Sequence, residues 1–140
     1  MLPFAKGFIM LCNGDTEEEC IRLNLFGDKA QKMKDLDEIQ PGDIGFLLNF
    51  DKDELLGIFR AGTKARFNID PKAWKGRFAA QVRVELIGEL QRIKDATFIL
   101  TQTGVGMAPM ATGVPAPAFP VHPPEVIEKI LAHFGEPVKE

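Results

Sequence analysis

Between residues 77 and 86 apolar and polar side chains alternate without a break. Phe78, Ala80, Val82, Val84 and Leu86 fall on one side, and Arg77, Ala79, Gln81, Arg83 and Glu85 fall on the other. Side chains of an extended chain point alternately to its two faces, so this pattern specifies a β-strand with one face on a core. It also fixes register, because a slip of one residue would turn every apolar side chain to solvent.

Three further apolar runs read as companion strands. Residues 7–12, bounded by Gly7 and by Asn13-Gly14, have the look of a buried strand ending in a turn. Residues 44–50 open from a Pro41-Gly42 turn, and residues 55–61 follow a polar link at 51–54, which predicts an antiparallel hairpin. Gly45 and Gly57 within these runs point to bulges, as a small curved sheet or barrel requires. Gly88 reads as a turn and residues 96–101 as a last strand.

Helical signals lie between them. Thr16 is a capping hydroxyl with Glu19 three residues on, and Glu17, Glu18 and Glu19 suit the positive end of a helix. That helix is expected to run to about Phe26, stopped by Gly27, with a weak helical turn at 29–36. Residues 104–124 carry three Gly and six Pro, which predicts a long mobile loop. The ladders Val126, Ile130, Phe134 and Ile127, Leu131 predict a final helix over 124–134, ended by Gly135 and Pro137. The fold class expected is α+β: a small curved sheet or pseudo-barrel of about five to six strands flanked by helices, in one domain over residues 1–140, with no repeats.

Several function classes fall away on composition. At 140 residues, 45% apolar and 26% charged, the chain is of ordinary globular type. No apolar stretch approaches the roughly 20 residues that span a bilayer, and no basic region followed by an apolar run opens the chain, so a cytoplasmic protein with no membrane association is expected. Cys12 and Cys20 fit a reducing compartment and read as small buried apolar groups. A net charge of −3 argues against indiscriminate nucleic-acid binding and leaves room for a local basic patch. Catalytic and metal-ligating groups are not gathered: His122 and His133 read as surface residues, and Gly104-x-Gly106 lacks the context of a dinucleotide fingerprint. Neither an enzyme nor a cofactor is expected.

Laid out in this order, several segments resemble the DCD (development and cell death) domain, a member of the PUA-like superfamily that also contains the YTH and EVE domains. The matching residues are Gly7 through Asn13 with Asp15-Thr16, Leu25-Phe26-Gly27, Gly42 through Phe50, and Leu56-Gly57-Ile58-Phe59-Arg60-Ala61. The most specific are Asn68-Ile69-Asp70-Pro71-Lys72-Ala73-Trp74 and Arg77-Phe78-Ala79-Ala80-Gln81-Val82-Arg83-Val84. The chain departs from the family at Ala79, where Pro is usual, and residues 104–120 have no alignable counterpart. The resemblance implies a PUA-like fold, and in the YTH and EVE relatives a pocket on the concave side of the sheet holds a modified base.

The segment around Trp74 is where residue chemistry and resemblance meet. The chain has eleven Phe, no Tyr and this one Trp. Trp74 lies in a polar loop read as exposed, with Arg66, Lys72, Lys75 and Arg77 close by and Asn68 and Asp70 beside it. An indole beside guanidinium and amide groups would stack on a base and bond its edge. The other reading has Trp74 plugging one end of the barrel, with Asn68 and Asp70 forming a turn before Pro71. The candidate binding residues are Trp74 and Phe50 for stacking, Asn13, Asn49 and Asn68 for a base edge, and Arg66 and Arg77 for phosphate; Asn13 and Asn49 equally suit turns. Nine or more Phe are expected in the core, so a cage of several Trp or Tyr is excluded and a neutral planar ligand is favoured over a methylated cation. The expected partner is RNA, DNA or a modified nucleotide. The alternative is a protein partner met through the 104–121 loop, whose Pro117-Ala118-Phe119-Pro120 has PxxP spacing, in line with the occurrence of DCD domains in stress and cell-death proteins.

Overall fold

The alternating segment becomes β6 (Ala80–Lys94), the longest strand in the computed structural model, which describes residues 4–135. It pairs antiparallel with β4 (Glu54–Ala61), β2 (Leu25–Asp28) and the two-residue β5 (Arg66–Phe67). β4 pairs antiparallel with β3 (Ile44–Asn49), and β3 runs parallel to β1 (Gly7–Cys12). The strand order is β2-β6-β4-β3-β1-β9, where β9 (Val121–His122) closes the far edge against Gly7 and Phe8. This curled α+β sheet is the predicted architecture.

Both faces of the central strands are covered, so β1 is apolar throughout and β3 is apolar up to Asn49, rather than alternating. One face carries Phe8, Met10, Leu25, Phe26, Leu56, Phe59, Trp74, Val82 and Val84. The other carries Ile9, Phe46, Leu48, Leu55 and Ile58 under α3 (Ala96–Thr103) and α4 (Pro124–Leu131), through Leu100, Ile127 and Ile130. Phe26 is the hub of the first core: its ring meets Phe59 edge-on at 4.9 Å and Phe8 at 6.3 Å. Gly57 works as the bulge its position suggests. With φ of 62°, it puts Leu56 and Phe59 on one face although they are three residues apart, and register against β6 shifts there from Leu56↔Arg92 to Ile58↔Ile87. A second register shift lies between Gly45 and Leu47.

Several expectations are corrected. Residues 96–101 form a helix, not a strand, because the Asp53 carboxylate accepts from Thr97 N and Thr97 Oγ1 at 2.8 and 2.7 Å and fixes the first turn. The first helix, α1, covers only Glu17–Leu23: Asn24 turns left-handed (φ 52°), and Leu25 and Phe26 then pair with Arg83 and Val82 of β6. Gly88 (φ 72°) lies inside β6 instead of ending it. Residues 29–36 do turn helically, as a 3-10 segment (Ala30–Lys32) running into α2 (Met33–Leu36). The proline-rich segment contains regular structure: β7 (Met107–Pro109) and β8 (Pro115–Pro117) form a hairpin, and Ile9 N donates to Pro120 O at 2.8 Å. Proline tolerates this because an edge strand spares it the missing N–H. Of the expected final helix, 132–134 lie beyond α4, though Phe134 still packs at 5.4 Å on Phe46. His122 is buried, not at the surface, while His133 is exposed. Five Phe are buried, at 8, 26, 46, 59 and 134, and Phe67, Phe98 and Phe119 are exposed, so the core holds fewer than the nine expected.

Burial assigns very different weights to the phenylalanines. Phe26→Ala is expected to cost about 3–5 kcal/mol in urea unfolding, whereas Phe119→Ala should stay within roughly 0.5 kcal/mol of the parent. Equal losses would mean that Phe26 is not the hub of this core.

Candidate nucleic-acid interface

Where β1 ends, a groove of about 580 Å³ opens between α1, the end of β2 and the β7-β8 hairpin. That is an ordinary size for a small-molecule site. Its buried lining includes Met10, Cys12, Cys20 and Trp74, with half-buried Phe78; its polar rim includes Asn13, Asp28, Lys29 and Lys32. Ala108 through Thr112 and Ala116 through Ala118 form the hairpin side.

Trp74 is held from four directions. Its indole Nε1–H donates to Thr16 O at 3.3 Å, its backbone N–H donates to Glu19 Oε2 at 2.7 Å, and Phe78 meets it edge-on at 5.7 Å. Its ring also lies where a side chain on Gly27 would be, since a Cβ there would overlap the indole's six-membered ring. The residue is 1% exposed, so the reading of Trp74 as a plug is the one realised and the expected exposed loop is corrected, although its edge still lines the groove. Trp74 and Lys75 both adopt positive φ, 49° and 56°. Such conformations cost on the order of 1–3 kcal/mol each and persist only where surroundings impose them. Here they are imposed by Glu19, by Arg77 Nε donating to Trp74 O at 3.2 Å, and by Gln81, whose amide bonds Asp70 N, Asp70 O and Phe78 O at 2.7, 3.0 and 2.9 Å. Glu19 therefore serves Trp74 and not a capping box, and Thr16 makes no side-chain cap bond to its helix.

Of the residues expected to bind, Asn13, Phe50 and Trp74 come together at the groove, while Asn49, Arg66, Asn68 and Arg77 do not line it. Asn13 is committed locally, its Oδ1 accepting from Asp15 N at 2.8 Å and Thr16 N at 3.0 Å. Asn49 is fully buried, donating to Glu17 Oε1 at 2.9 Å and accepting from the Asp51 and Lys52 amides. Asn68 is exposed with φ of 53°, Arg66 is exposed on β5, and the Arg77 guanidinium lies 5.5 Å above the Phe78 ring. The expected turn before Pro71 is made by Asp70, whose Oδ1 accepts from Lys72 N at 3.0 Å. Thr16, Cys20, Gly27, Asp28, Lys29 and Lys32 are not legible as groove residues, since only the fold brings α1, the end of β2 and the 3-10 segment to the end of β1.

Electrostatics divides these groups by role. Arg92 bonds Glu17 at 2.9 and 3.2 Å and Glu54 at 3.2 Å; that contact, followed by the Asn49 amide, outweighs burial and holds the Glu17 carboxyl below its usual range. A hydrogen bond with Cys20, then burial, pushes the Cys12 thiol far up, so it stays a neutral thiol and not a nucleophile. Burial pushes Asp28 up and His122 down. Among the described residues, no group of three His, Cys, Asp or Glu is placed to hold a metal, and no helix is long and apolar enough to cross a membrane.

The model of the "Development and cell death domain" matches residues 6–101. The chain belongs to this family. Over 85 residues it is 40% identical to the DCD domain-containing protein NRP-B of Glycine max and 39% identical to the B2 protein of Daucus carota, covering 56% of this chain and 26% and 41% of theirs. The DCD domain-containing protein NRP of Arabidopsis thaliana is 36% identical over 84 residues. The chain thus spans less than half the length of these curated relatives. In fold, this DCD chain is similar to YTH domains. That of Zygosaccharomyces rouxii MRB1, solved with N6-methyladenosine RNA, gives a TM-score of 0.61 at 14% identity, covering 99% of this chain and 92% of that one. That of Toxoplasma CPSF4, solved with m6A-modified RNA, gives 0.63 at 15%, covering 98% and 95%.

Two outcomes follow for the DCD chain. Gly27→Ala should displace the indole, cost about 1–3 kcal/mol in urea unfolding and shift Trp74 emission to longer wavelength; unchanged emission would contradict the contact. Glu17 has a folded pKa below its unfolded value near 4.5, so its contribution is complete above that pH and is lost as pH falls through the folded value. Melting temperature followed from neutral pH into acid should therefore fall less steeply for Glu17→Gln than for the parent.

Proposed function

We propose that this DCD chain is a non-catalytic RNA-binding module that takes one unpaired base into the groove over Trp74. The observation that carries the reading is an aromatic-lined groove whose Trp74 and Phe78 come from a basic, exposed segment. Residues 62–83 hold Lys64, Arg66, Lys72, Lys75, Arg77 and Arg83 against a single acid, Asp70, within a chain of net charge −3, and all six cations are exposed. The same segment supplies Trp74 and Phe78 to the groove. A strand with its phosphates on this segment would bring a base to the groove, where it would pack against the half-buried Phe50 and Phe78 and the edge of Trp74. The likeness in fold to YTH domains solved with RNA supports the same reading. With one buried indole and no Tyr, the groove suits a neutral planar ring.

A different observation favours a second reading, as a protein-interaction module. Phe119 is 69% exposed within Pro117-Ala118-Phe119-Pro120, outside the groove lining. A partner recovered by pull-down after nuclease treatment, and lost with Phe119→Ala, would support it.

For the RNA reading, Trp74 emission is titrated with short single-stranded RNA. Saturable binding that weakens with salt is expected. The triple variant Lys64→Gln, Lys72→Gln, Lys75→Gln should lower the slope of log affinity against log salt by about 2, at roughly 0.7 per phosphate contact. No binding at millimolar nucleotide would contradict the proposal.

A further inference from the structure

Resting on the base-binding reading, we propose that Asp28 reads the edge of the bound base and that the base it selects is guanine. Asp28 ends β2, next to Gly27, on the rim of the groove. Its Oδ1 accepts one bond, from Lys29 N at 2.7 Å, and among the described residues its carboxylate forms no ion pair and Oδ2 has no hydrogen bond. The neighbouring acceptors are engaged: Asn13 Oδ1 holds the turn at 13–16, and Thr16 Oγ1 accepts from Asn13 N at 3.0 Å. Asp35, the other acid on the rim, stands exposed on α2. A half-buried carboxylate with no direct ion-pair partner weakens a fold, and groups of this kind are candidates for ligand contact. Its raised pKa reflects the same burial.

Charge and hydrogen-bond geometry then narrow the ligand. Asp28 and Asp35 balance Lys29 and Lys32 around the groove, so the groove is neutral and suits a ring rather than a polyphosphate. A carboxylate only accepts, and its two oxygens take two parallel N–H donors best. Guanine offers such a pair, N1–H and N2–H. Uracil offers one N–H, and adenine and cytosine each set a ring nitrogen lone pair beside their amino group, facing the carboxylate. In a partly desolvated site an unmatched acceptor discriminates strongly.

The test uses Trp74 emission with the RNA pentamers UUGUU, UUAUU, UUCUU and UUUUU, reading the midpoint of each titration because guanine also quenches by itself. The parent should bind UUGUU about tenfold more tightly than the others. Asp28→Asn preserves shape and an acceptor for Lys29 N, so its melting temperature should be at or above that of the parent while the preference disappears. Binding of all four pentamers with equal midpoints, or a guanine preference surviving in Asp28→Asn, would overturn this inference and leave base binding standing. Failure of all four to bind at millimolar concentration would overturn both.

Discussion

The seat of the Trp74 indole on Gly27 is the contact on which the candidate site depends. It brings together three stretches distant in sequence: the start of α1 through Thr16 and Glu19, the end of β2 through Gly27, and the 62–83 segment through Trp74 itself. A side chain at 27 would take the space of the ring, and a smaller ring at 74 would leave a cavity where the groove has its floor. The left-handed backbone at Trp74 and Lys75 is the local cost of turning the indole inward, offset by hydrogen bonds that Glu19 accepts and that Arg77 and Gln81 donate.

The rest of the fold frames this junction. The bulge at Gly57 lets β4 cross the sheet while feeding both cores, and the aromatic contacts of Phe26 fix β2 over β4 and β1. Arg92 ties the far end of β6 to Glu17 of α1, and Asn49 ties β3 to the same carboxylate, so the start of α1 is anchored to the sheet on one side and to Trp74 on the other. The hairpin that completes the groove lies outside the segment matched by the family model and is attached to the sheet edge through β9 and Pro120.

What the sequence could disclose followed from whether a signal was local. The alternation at 77–86, the bulge glycines and the final helix are written in the local sequence; the strand forms from Ala80 onward, and the helix over Pro124–Leu131 falls three residues short of its expected end. The strand at Leu25–Asp28 and the helix at Ala96–Thr103 were misread because partners far along the chain decide them: β6 captures Leu25 and Phe26, and Asp53 caps residue 97. Exposure failed for the same reason. A Trp flanked by Lys, Gly and Arg reads as surface, and only Gly27, some fifty positions away in sequence, reveals the slot that buries it. Asn13, Phe50 and Trp74 were placed at the groove by resemblance and local chemistry, whereas Asp28, Lys29 and Lys32 carried no periodic or motif signal.

In the proposed function, RNA would meet this chain where Trp74 floors the groove. Backbone and indole NMR shifts recorded on addition of a short single-stranded RNA test it directly. The Trp74 Nε1–H signal and the amides of residues 12–16, 27–29 and the non-proline residues of 108–117 are expected to move together and saturate at one midpoint. Shifts confined to α3 and α4, on the opposite face of the sheet, would contradict it.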